Sequence, residues 1–383
     1  MTLRILHSLD SYLQTTENWI YPQIASVPNA ESAVLCGAFV NEEEFPHTER
    51  KFILDSVPAG GGFPGRALRA ALRRSNLSSF LRATRVRASR PDIIHAHFGT
   101  RGWGDLSLKR YLKVPLITTF YGVEAWSYPI LFPKWRERYR TLFEEGDLFL
   151  VEGPAMAGRL AAIGCPAEKI RIRHLGVDVD HLKFANREFS RELKILMVGR
   201  FVEKKGFVDG LSGCLKSARQ GVRMQITIIG DATGTNQKIK RELIDLANEP
   251  ELHGRVRFAG FLAHNEVQTE LSRHNVLLCP SKHAADGDAE GGMPFILAEA
   301  MALGLVGIGS AHCDMTELIQ NGRTGFLFPE GNIEALSEKL CAIANRPELL
   351  SEIAKTGRAH IEKEFNLTRQ LTALSEIYTE CAR

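Results

Sequence analysis

Short apolar runs alternate with polar or glycine-containing stretches along the whole chain. Five such runs lie in the first half, at residues 3–8, Ala33–Cys36, Ile93–Ala96, Leu116–Phe120 and Leu148–Val151. Each has the length of a buried strand, and most are followed by sequence that is compatible with a helix. Strand, loop and helix in repetition predict a parallel sheet with helices on both faces.

The same pattern restarts after residue 190 and predicts a second sheet. Its six predicted strands are Lys194–Val198, Gln225–Ile229, Val256–Phe258, Val276–Cys279, Leu305–Ile308 and Gly325–Phe328. The predicted helices are Phe207–Gln220, Thr235–Ala247, Asn265–Arg273, Phe295–Ala302 and Asn332–Ile343. We therefore expect an α/β protein of two Rossmann-like, doubly wound domains that face a cleft. The domains are expected to span residues 1–187 and 188–362, followed by a C-terminal helix over 363–383 that packs back toward the N-terminal domain.

Composition narrows the class of protein. The 383 residues are 44% hydrophobic and 24% charged, as in ordinary globular proteins. No apolar run reaches the roughly 18–20 residues that a membrane-spanning helix needs. The N-terminal sequence turns polar too soon for a secretory signal, and seven scattered cysteines without a CxxC pair fit reduced thiols. We expect a cytoplasmic protein, with the inner face of the membrane as a second candidate location.

One stretch is strongly basic, although the net charge of the chain is only +3. Residues 66–90 contain no acid and eight arginines: Arg66, Arg69, Arg73, Arg74, Arg82, Arg85, Arg87 and Arg90. With the leucines between them, they favour an interfacial helix on an anionic membrane or acceptor over a solvated helix-loop-helix face. Nucleic acid is a disfavoured partner, because no recognised nucleic-acid motif is present and the isoelectric point is only about 8.4.

Two cations stand on a glycine-bounded turn after a predicted strand. Gly199 lets the chain turn, Arg200 emerges at the carboxyl end of the strand, and Lys205 precedes Gly206. Arginine and lysine at this edge suit a diphosphate, whose negative charge grows as its bond to a sugar breaks. A surface turn with solvated cations is the alternative interpretation.

A second candidate segment follows the predicted strand Val276–Cys279. An acidic, glycine-containing loop at residues 286–292 leads into a helix that begins near Pro294 and contains Glu299. Free N–H groups at a helix start attract phosphate, and a carboxylate can accept two hydrogen bonds from a ribose diol. The alternatives are a solvated loop and a divalent-metal site with the oxygen ligands Asp286, Asp288 and Glu290.

These two segments resemble the GRxxxxKG and EGxPxxxxEA signatures of the family 4 retaining glycosyltransferases of GT-B fold. Other segments are similar to family markers in order and spacing: His174–Asp178, Gly230-Asp231, Arg257–Leu262 and Glu317–Phe326. Three N-terminal segments resemble those of the exopolysaccharide subgroup, which includes colanic-acid-type transferases: Thr16–Ile20, His95–Gly99 and Thr119–Glu124.

The resemblance implies a role for individual residues. The catalytic set would be Arg200 and Lys205 on the diphosphate, with Glu290 on the donor sugar. The donor would also contact Gly199, Leu262, Gly291, Gly292, Met293, Pro294, Phe295 and Glu299, and Glu299 would bind the ribose. The acceptor or sugar side would be formed by Thr16, His97, Tyr121 and Glu124. No metal or other cofactor would be required.

The chain departs from the family pattern at three places. Eight residues separate Glu290 from Glu299, where many members have seven, and Tyr121 and Glu124 replace a histidine and an aspartate. The first loop carries threonines instead of paired glycines. The predicted strand Ile93–Ala96 is expected to end near Ala96, which would turn His97 toward the cleft and leave His95 buried.

The predicted function is retaining transfer of a hexose from a UDP- or GDP-sugar to a saccharide hydroxyl. A lipid-linked intermediate of exopolysaccharide, capsule or O-antigen synthesis is the expected acceptor. The alternatives are a non-catalytic sugar-nucleotide-binding partner of another transferase and a GT-B epimerase acting on the nucleotide sugar. Residue types leave the base, the sugar, the acceptor and the linkage open.

Overall fold

A computed structural model describes residues 2–47, 51–53, 84 and 86–383. Of the eight arginines of the basic stretch, Arg87 and Arg90 lie within these residues and the other six lie outside them. The chain divides into two compact units. The first comprises Met1–Val151, Ala157–Arg173 and Arg369–Arg383, and the second comprises Glu152–Met156 and His174–Thr368.

The first unit contains a seven-stranded parallel sheet with the strand order β3-β2-β1-β4-β5-β6-β7. The strands are β1 Leu3–Ser8, β2 Ala30–Cys36, β3 Lys51–Ile53, β4 Ile93–His97, β5 Leu116–Thr119, β6 Leu148–Val151 and β7 Ile170–Ile172. Its described helices are Tyr21–Ala25, Gly99–Leu112, Val123–Trp126, Tyr128–Leu131 and Lys134–Glu145, with most of Pro154–Ala162 and Leu367–Cys381. Short 3-10 helices cover Thr15–Ile20 and Ala167–Lys169.

The central strands of this sheet are buried on both faces. Every residue of β4, β5 and β6 is buried, so apolar and exposed polar positions do not alternate along them. The polar residues that they do contain, His95, His97, Thr118 and Thr119, are buried as well. The two edge strands β3 and β7 were not predicted, because each is three residues long and carries no apolar run of its own. A strand at the edge of a sheet does not need apolar side chains on both faces. The pattern of hydrophobic residues therefore gives little indication of such a strand.

The second unit contains a six-stranded parallel sheet with the order β10-β9-β8-β11-β12-β13. The strands are β8 Glu192–Val198, β9 Arg223–Ile229, β10 Val256–Gly260, β11 Val276–Cys279, β12 Val306–Ser310 and β13 Gly325–Phe328. The helices are Phe207–Arg219, Gln237–Ala247, His264–Arg273, Phe295–Ala302, Met315–Leu318, Ile333–Asn345 and Leu350–Glu364. Short 3-10 helices cover Glu203–Lys205, Gly234–Asn236 and Pro347–Leu349.

Both sheets reverse their direction of growth at one point. From β8 the chain adds β9 and β10 on one side, and then returns to place β11 on the other side of β8. In the first sheet the same reversal lies between β1 and β4. The predicted pair of doubly wound α/β sheets is therefore confirmed. At such a switch point the loops leave the carboxyl ends of neighbouring strands in opposite directions and open a crevice for a ligand.

Candidate functional site

The two segments singled out in the sequence leave the two strands that flank the switch point of the second sheet. Arg200 follows β8 on an exposed turn, and the 3-10 helix Glu203–Lys205 comes directly after it. Gly206 then turns the chain into the helix Phe207–Arg219 with a φ of +62°. A Cβ at Gly206 would lie 1.8 Å from the carbonyl oxygen of Pro280, so only glycine lets this turn pass against the loop after β11.

The Lys205 ammonium pairs with the Glu290 carboxylate. Its Nζ lies 2.8 Å from Oε1 and 3.0 Å from Oε2, and the Ser281 hydroxyl donates to Oε1 at 2.7 Å. Burial of the Glu290 carboxyl would by itself raise its pKa, but Lys205, Lys204 and the Ser281 hydroxyl bring the pKa down to about 2. The carboxylate is therefore charged and holds one of the two predicted diphosphate-binding cations. Ser281 was not predicted as part of this site.

Arg200 has a different environment. The residue is exposed, and within the described part of the chain no carboxylate forms an ion pair with its guanidinium. A guanidinium that faces solvent at the switch point can make bidentate hydrogen bonds to an arriving phosphate without first breaking an ion pair. The structure thus places an exposed guanidinium, that of Arg200, and an ion-paired ammonium, that of Lys205, at the carboxyl end of β8.

The acidic loop after β11 is tied to the turn after β8 by a second lysine. The Lys204 Nζ lies 3.0 Å from Asp288 Oδ2 and donates to the carbonyl oxygen of Ala289 at 2.9 Å. Asp286 accepts a hydrogen bond from the Asp288 backbone N–H at 2.9 Å. Across the described ranges, the groups whose metal-ligating atoms lie within 4.8 Å of one another are His7/His95/His97 and His283/His312/Cys313, and the acidic loop is not one of them.

A histidine and a glutamate from neighbouring strands support the backbone of Glu290. The Glu290 N–H donates to His312 Nε2 at 3.2 Å, and His312 Nδ1 donates to Glu330 Oε2 at 2.8 Å. Burial lowers the pKa of His312, although the Glu330 carboxylate opposes this shift. The ring is therefore neutral at neutral pH, and its Nε2 remains an acceptor. Sequence reasoning missed both residues, although each lies just beyond the carboxyl end of a predicted strand.

The chain between Glu290 and the following helix is tightly packed. Gly291, Gly292, Met293 and Pro294 are buried, and a Cβ at Gly292 would lie 2.0 Å from Glu152 Oε2. Pro294 precedes the helix Phe295–Ala302, which starts at Phe295 without a side-chain capping hydrogen bond. Backbone groups of a glycine loop that ends at an uncapped helix start are suited to an anionic or hydroxyl-rich ligand.

Glu299 is buried inside that helix. Its side chain is 8% exposed, and its Oε1 lies 3.8 Å from His264 Nε2. Burial raises the pKa of Glu299 to about 8. His264 begins the helix that follows Leu262, so the segment around Leu262, for which the resemblance implies contact with the donor, and the predicted ribose-binding carboxyl approach each other.

In the first unit, His97 lies in a buried row of histidines. Contrary to the prediction, β4 does not end at Ala96 but includes His97, whose ring stacks on that of His95 at 4.4 Å between centroids. Because His97 continues the strand, its side chain lies on the same face of the sheet as that of His95 and is buried there. His97 Nε2 meets His7 Nδ1 at 3.0 Å, and its Nδ1 meets the Tyr121 hydroxyl at 2.8 Å. Burial lowers the pKa of His97 well below its usual value, so the ring is neutral.

Of the remaining predicted acceptor-side residues, Tyr121 and Glu124 are held together by backbone contacts. The Glu124 carboxylate accepts the N–H groups of Tyr121 at 2.7 Å and Gly122 at 3.1 Å. His95 lies buried, as predicted, between the Tyr378 hydroxyl and Thr119 Oγ1, each at 2.7 Å. Thr16 belongs to the 3-10 helix Thr15–Ile20, and its side chain lies outside the described part of the structure.

Comparison with known proteins supplies the family. The model "Glycosyltransferase Family 4" matches residues 33–181, and "Glycosyl transferases group 1" matches residues 178–360. The colanic acid biosynthesis glycosyltransferase WcaL, so named in Escherichia coli K12, is 33% identical over 294 residues, which cover 74% of this chain and 70% of that protein. The chain is a family 4 glycosyltransferase.

The same relationship extends to a second exopolysaccharide protein and to solved structures. The amylovoran biosynthesis glycosyltransferase AmsK of Erwinia amylovora is 32% identical, with 76% of this chain and 70% of that protein covered. A crystal structure of Anabaena HepE with UDP and glucose superposes with a TM-score of 0.75 at 17% identity, over 99% of this chain and 100% of that chain. Sucrose-phosphate synthase from Thermosynechococcus elongatus gives 0.75 at 18%, over 99% and 98%.

These relatives confirm two predictions about the family 4 glycosyltransferase. The fold is GT-B, and the chain is a member of a retaining family that is related to enzymes of exopolysaccharide biosynthesis. Among the helices that the structure describes, none is both long and apolar enough to cross a membrane.

Proposed function

We propose that this family 4 glycosyltransferase moves a hexose, with retention, from a UDP- or GDP-sugar to a saccharide hydroxyl. The proposed acceptor is a lipid-linked intermediate of exopolysaccharide, capsule or O-antigen synthesis. Support for the pathway comes from the relatives named for colanic acid and amylovoran synthesis. Support for a UDP-linked donor comes from the fold neighbour that was crystallised with UDP-glucose.

The observation that carries the proposal is the arrangement of cations at the switch point of the second sheet. Arg200 is exposed, and Lys205 is held on Glu290 by contacts of 2.8 and 3.0 Å. An arriving diphosphate would meet the unpaired guanidinium first and would then compete with Glu290 for Lys205. The Ser281 hydroxyl holds the Glu290 carboxylate in position. The Lys205 ammonium would therefore remain near this carboxylate while it also contacts the phosphate.

The proposed chemistry follows from where charge develops. The bond between the anomeric carbon and the diphosphate oxygen breaks, and its electron pair moves to the departing diphosphate. Arg200 and Lys205 stabilise this charge, and the departing phosphate oxygen takes the proton of the acceptor hydroxyl as the new bond forms on the same face. In this route two side chains stabilise the charge and the donor's own phosphate takes the proton, so we propose that transfer needs no metal.

The other contacts of the donor are proposed from the same helix and loop. Glu299 would accept hydrogen bonds from the ribose, the backbone near Leu262 would face the base, and Gly291–Pro294 would surround the hexose with Glu290 beside them. On the acceptor side, Tyr121 would present its hydroxyl. His97 and Glu124 would hold Tyr121 in position through the contacts described above.

The test is product analysis with purified protein. UDP-glucose, UDP-galactose and GDP-mannose are each incubated with lipid-linked saccharide acceptors, and the anomeric configuration of the product is read by NMR. We expect transfer with retention from one donor class, and a loss of about 10²–10³ in turnover for Arg200→Ala. The matched control Arg255→Ala removes another exposed cation of the same unit and should leave turnover unchanged.

Two outcomes would replace the proposal with an alternative. Nucleotide-sugar binding without turnover on any acceptor would indicate a non-catalytic binding partner. Conversion of the nucleotide sugar to its epimer in the absence of acceptor would indicate an epimerase.

A further inference from the structure

Three consecutive large apolar side chains of the first unit are exposed. Ile130, Leu131 and Phe132 are 48%, 49% and 47% exposed, and they form what we call the 130–132 tip. Most exposed apolar residues on a folded protein stand singly, whereas three in a row make a contiguous apolar protrusion. The tip takes no part in the proposed chemistry.

The 130–132 tip is held in a fixed position by its neighbours. Arg136 Nε donates to the carbonyl oxygen of Pro129 at 2.7 Å, and the Tyr128 ring contacts the rings of Phe132 and Trp135 at 5.8 and 6.2 Å between centroids. The apolar side chains are therefore presented on an ordered support, and burying them in a partner costs little additional ordering.

Cations follow the tip directly. The first seven residues of the helix Lys134–Glu145 carry four cations and one acid: Lys134, Arg136, Arg138, Arg140 and Glu137. Lys134 and Arg140 are exposed, and no carboxylate within the described ranges forms an ion pair with either. The Arg138 guanidinium lies 4.1 Å from the Trp103 ring and 4.7 Å from the Trp135 ring, which fixes its charge beside an aromatic cluster.

We infer that the 130–132 tip and the basic start of the following helix form a docking surface for an anionic lipid bilayer. The apolar side chains would enter the boundary between headgroups and acyl chains, the tryptophan and tyrosine rings would lie at headgroup depth, and the cations would contact lipid phosphates. Proteins that bind the surface of a bilayer have this order of residue types: apolar side chains deepest, aromatic rings at the headgroups and cations at the phosphates.

Charge argues against a second copy of the chain as the occupant. In a two-fold symmetric contact the same surface faces itself, so Lys134, Arg136 and Arg140 of one copy would approach the same cations of the other. A stable interface of ordinary size also buries about 800 Å² on each partner, more than three half-exposed side chains can supply. An anionic bilayer instead satisfies the apolar and the basic residues together.

The surface is connected to residues that the proposed function uses. The Tyr139 hydroxyl donates to the Glu124 carbonyl oxygen at 2.8 Å, so the basic helix is anchored to the segment that holds Tyr121. The inference deepens the proposed function, since docking would bring the enzyme to the membrane where a lipid-linked acceptor lies. Binding to vesicles does not itself require donor, acceptor or turnover.

The experiment is co-sedimentation of the full chain with vesicles of phosphatidylcholine alone and of phosphatidylcholine with phosphatidylglycerol. We expect binding to the anionic vesicles, and a drop of about tenfold or more for the triple variant Ile130→Ser/Leu131→Ser/Phe132→Ser. The double variant Lys134→Gln/Arg140→Gln should lose about 30-fold on anionic vesicles, from about 1 kcal/mol for each cation. The control Leu349→Ser removes an apolar side chain that is 47% exposed in the second unit, and should bind as the wild type does.

Three results would overturn the inference: wild-type protein that stays in solution with both vesicle types, a triple variant that binds as well as the wild type, or a dimer without lipid that the triple variant dissociates. Turnover on a water-soluble acceptor separates this surface from the proposed function. If the wild type fails to bind vesicles but turns over a water-soluble acceptor, the docking surface is wrong and the proposed function stands. If it binds vesicles but shows no turnover, the proposed function is wrong and the docking surface stands.

Discussion

Burial of Glu299 makes the stability of the second unit depend on pH. The pKa of its carboxyl is about 8 in the folded protein, against the ordinary value of 4.5. Above pH 4.5 the unfolded chain releases this proton while the folded protein keeps it. The folded protein then binds more protons, so stability falls as pH rises, until the folded carboxyl also ionises near pH 8.

The size of the effect follows from the shift. Each pH unit between the two pKa values costs about 1.4 kcal/mol, so unfolding free energy should fall by on the order of 3 kcal/mol between about pH 5 and pH 8 from Glu299 alone. Glu299→Gln has nearly the same shape but cannot ionise. The variant should match the wild type near pH 5 and exceed it in stability by this amount at pH 8.

The assay is urea unfolding of both proteins at several pH values, because the difference between them isolates Glu299 from every other titrating group. Ligand binding supplies a second readout: a ribose that hydrogen-bonds the ionised carboxylate favours proton release, so nucleotide affinity should rise with pH in the wild type and stay flat in the variant. A stability difference that is independent of pH would refute the assignment of a raised pKa to Glu299.

Two further substitutions test how the loops around the site are held. Gly206→Ala should lower the free energy of unfolding in urea by about 3 kcal/mol or more, because the residue has a positive φ and its Cβ would meet Pro280. The control Gly221→Ala has a φ of +89° and open space around its Cβ, and should cost about 1–2 kcal/mol. Equal costs would show that the Pro280 contact is unimportant. His312→Phe leaves the Glu290 N–H without its acceptor and removes one of the donors to the Glu330 carboxylate, which His283 also contacts. It should cost about 1–3 kcal/mol and lower turnover, whereas the exposed control His253→Phe should change neither. Wild-type turnover in His312→Phe would mean that the Glu290 backbone needs no support.

The hydrophobic pattern predicts most of the fold because the central strands are buried on both faces. Val276–Cys279, Leu148–Val151 and Gly325–Phe328 have the predicted bounds. The hydrophobic pattern does not predict the edge strands Lys51–Ile53 and Ile170–Ile172. An edge strand is less covered by neighbouring elements, so it does not need a continuous run of apolar residues. The predicted helix Thr235–Ala247 begins at Gln237 instead, because Gly234–Asn236 forms a 3-10 turn.

The candidate site is predictable where one residue type at a strand end suffices. Arg200 is an example, since it directly follows the strand Glu192–Val198 and its glycine, as the sequence predicts. Glu299 was likewise placed from a local motif, inside the helix that follows Pro294. The pairing of Lys205 with Glu290 is not predictable in this way, because it depends on how two loops 85 residues apart fold against each other. His312 and Glu330 could have been found by examining polar residues just after the strands at Leu305–Ile308 and Gly325–Phe328, since carboxyl ends of parallel strands share one edge.

The most direct test of the donor site compares nucleotide affinities by calorimetry. The wild type should bind UDP or GDP more tightly than the corresponding nucleoside monophosphate if, as we propose, the second phosphate contacts Arg200 and Lys205. Arg200→Ala and Lys205→Ala should each reduce this preference by about 10- to 100-fold, the value of a hydrogen bond to a charged group, while Arg255→Ala preserves it. An unchanged preference in both variants would contradict the assignment of the diphosphate to these two cations.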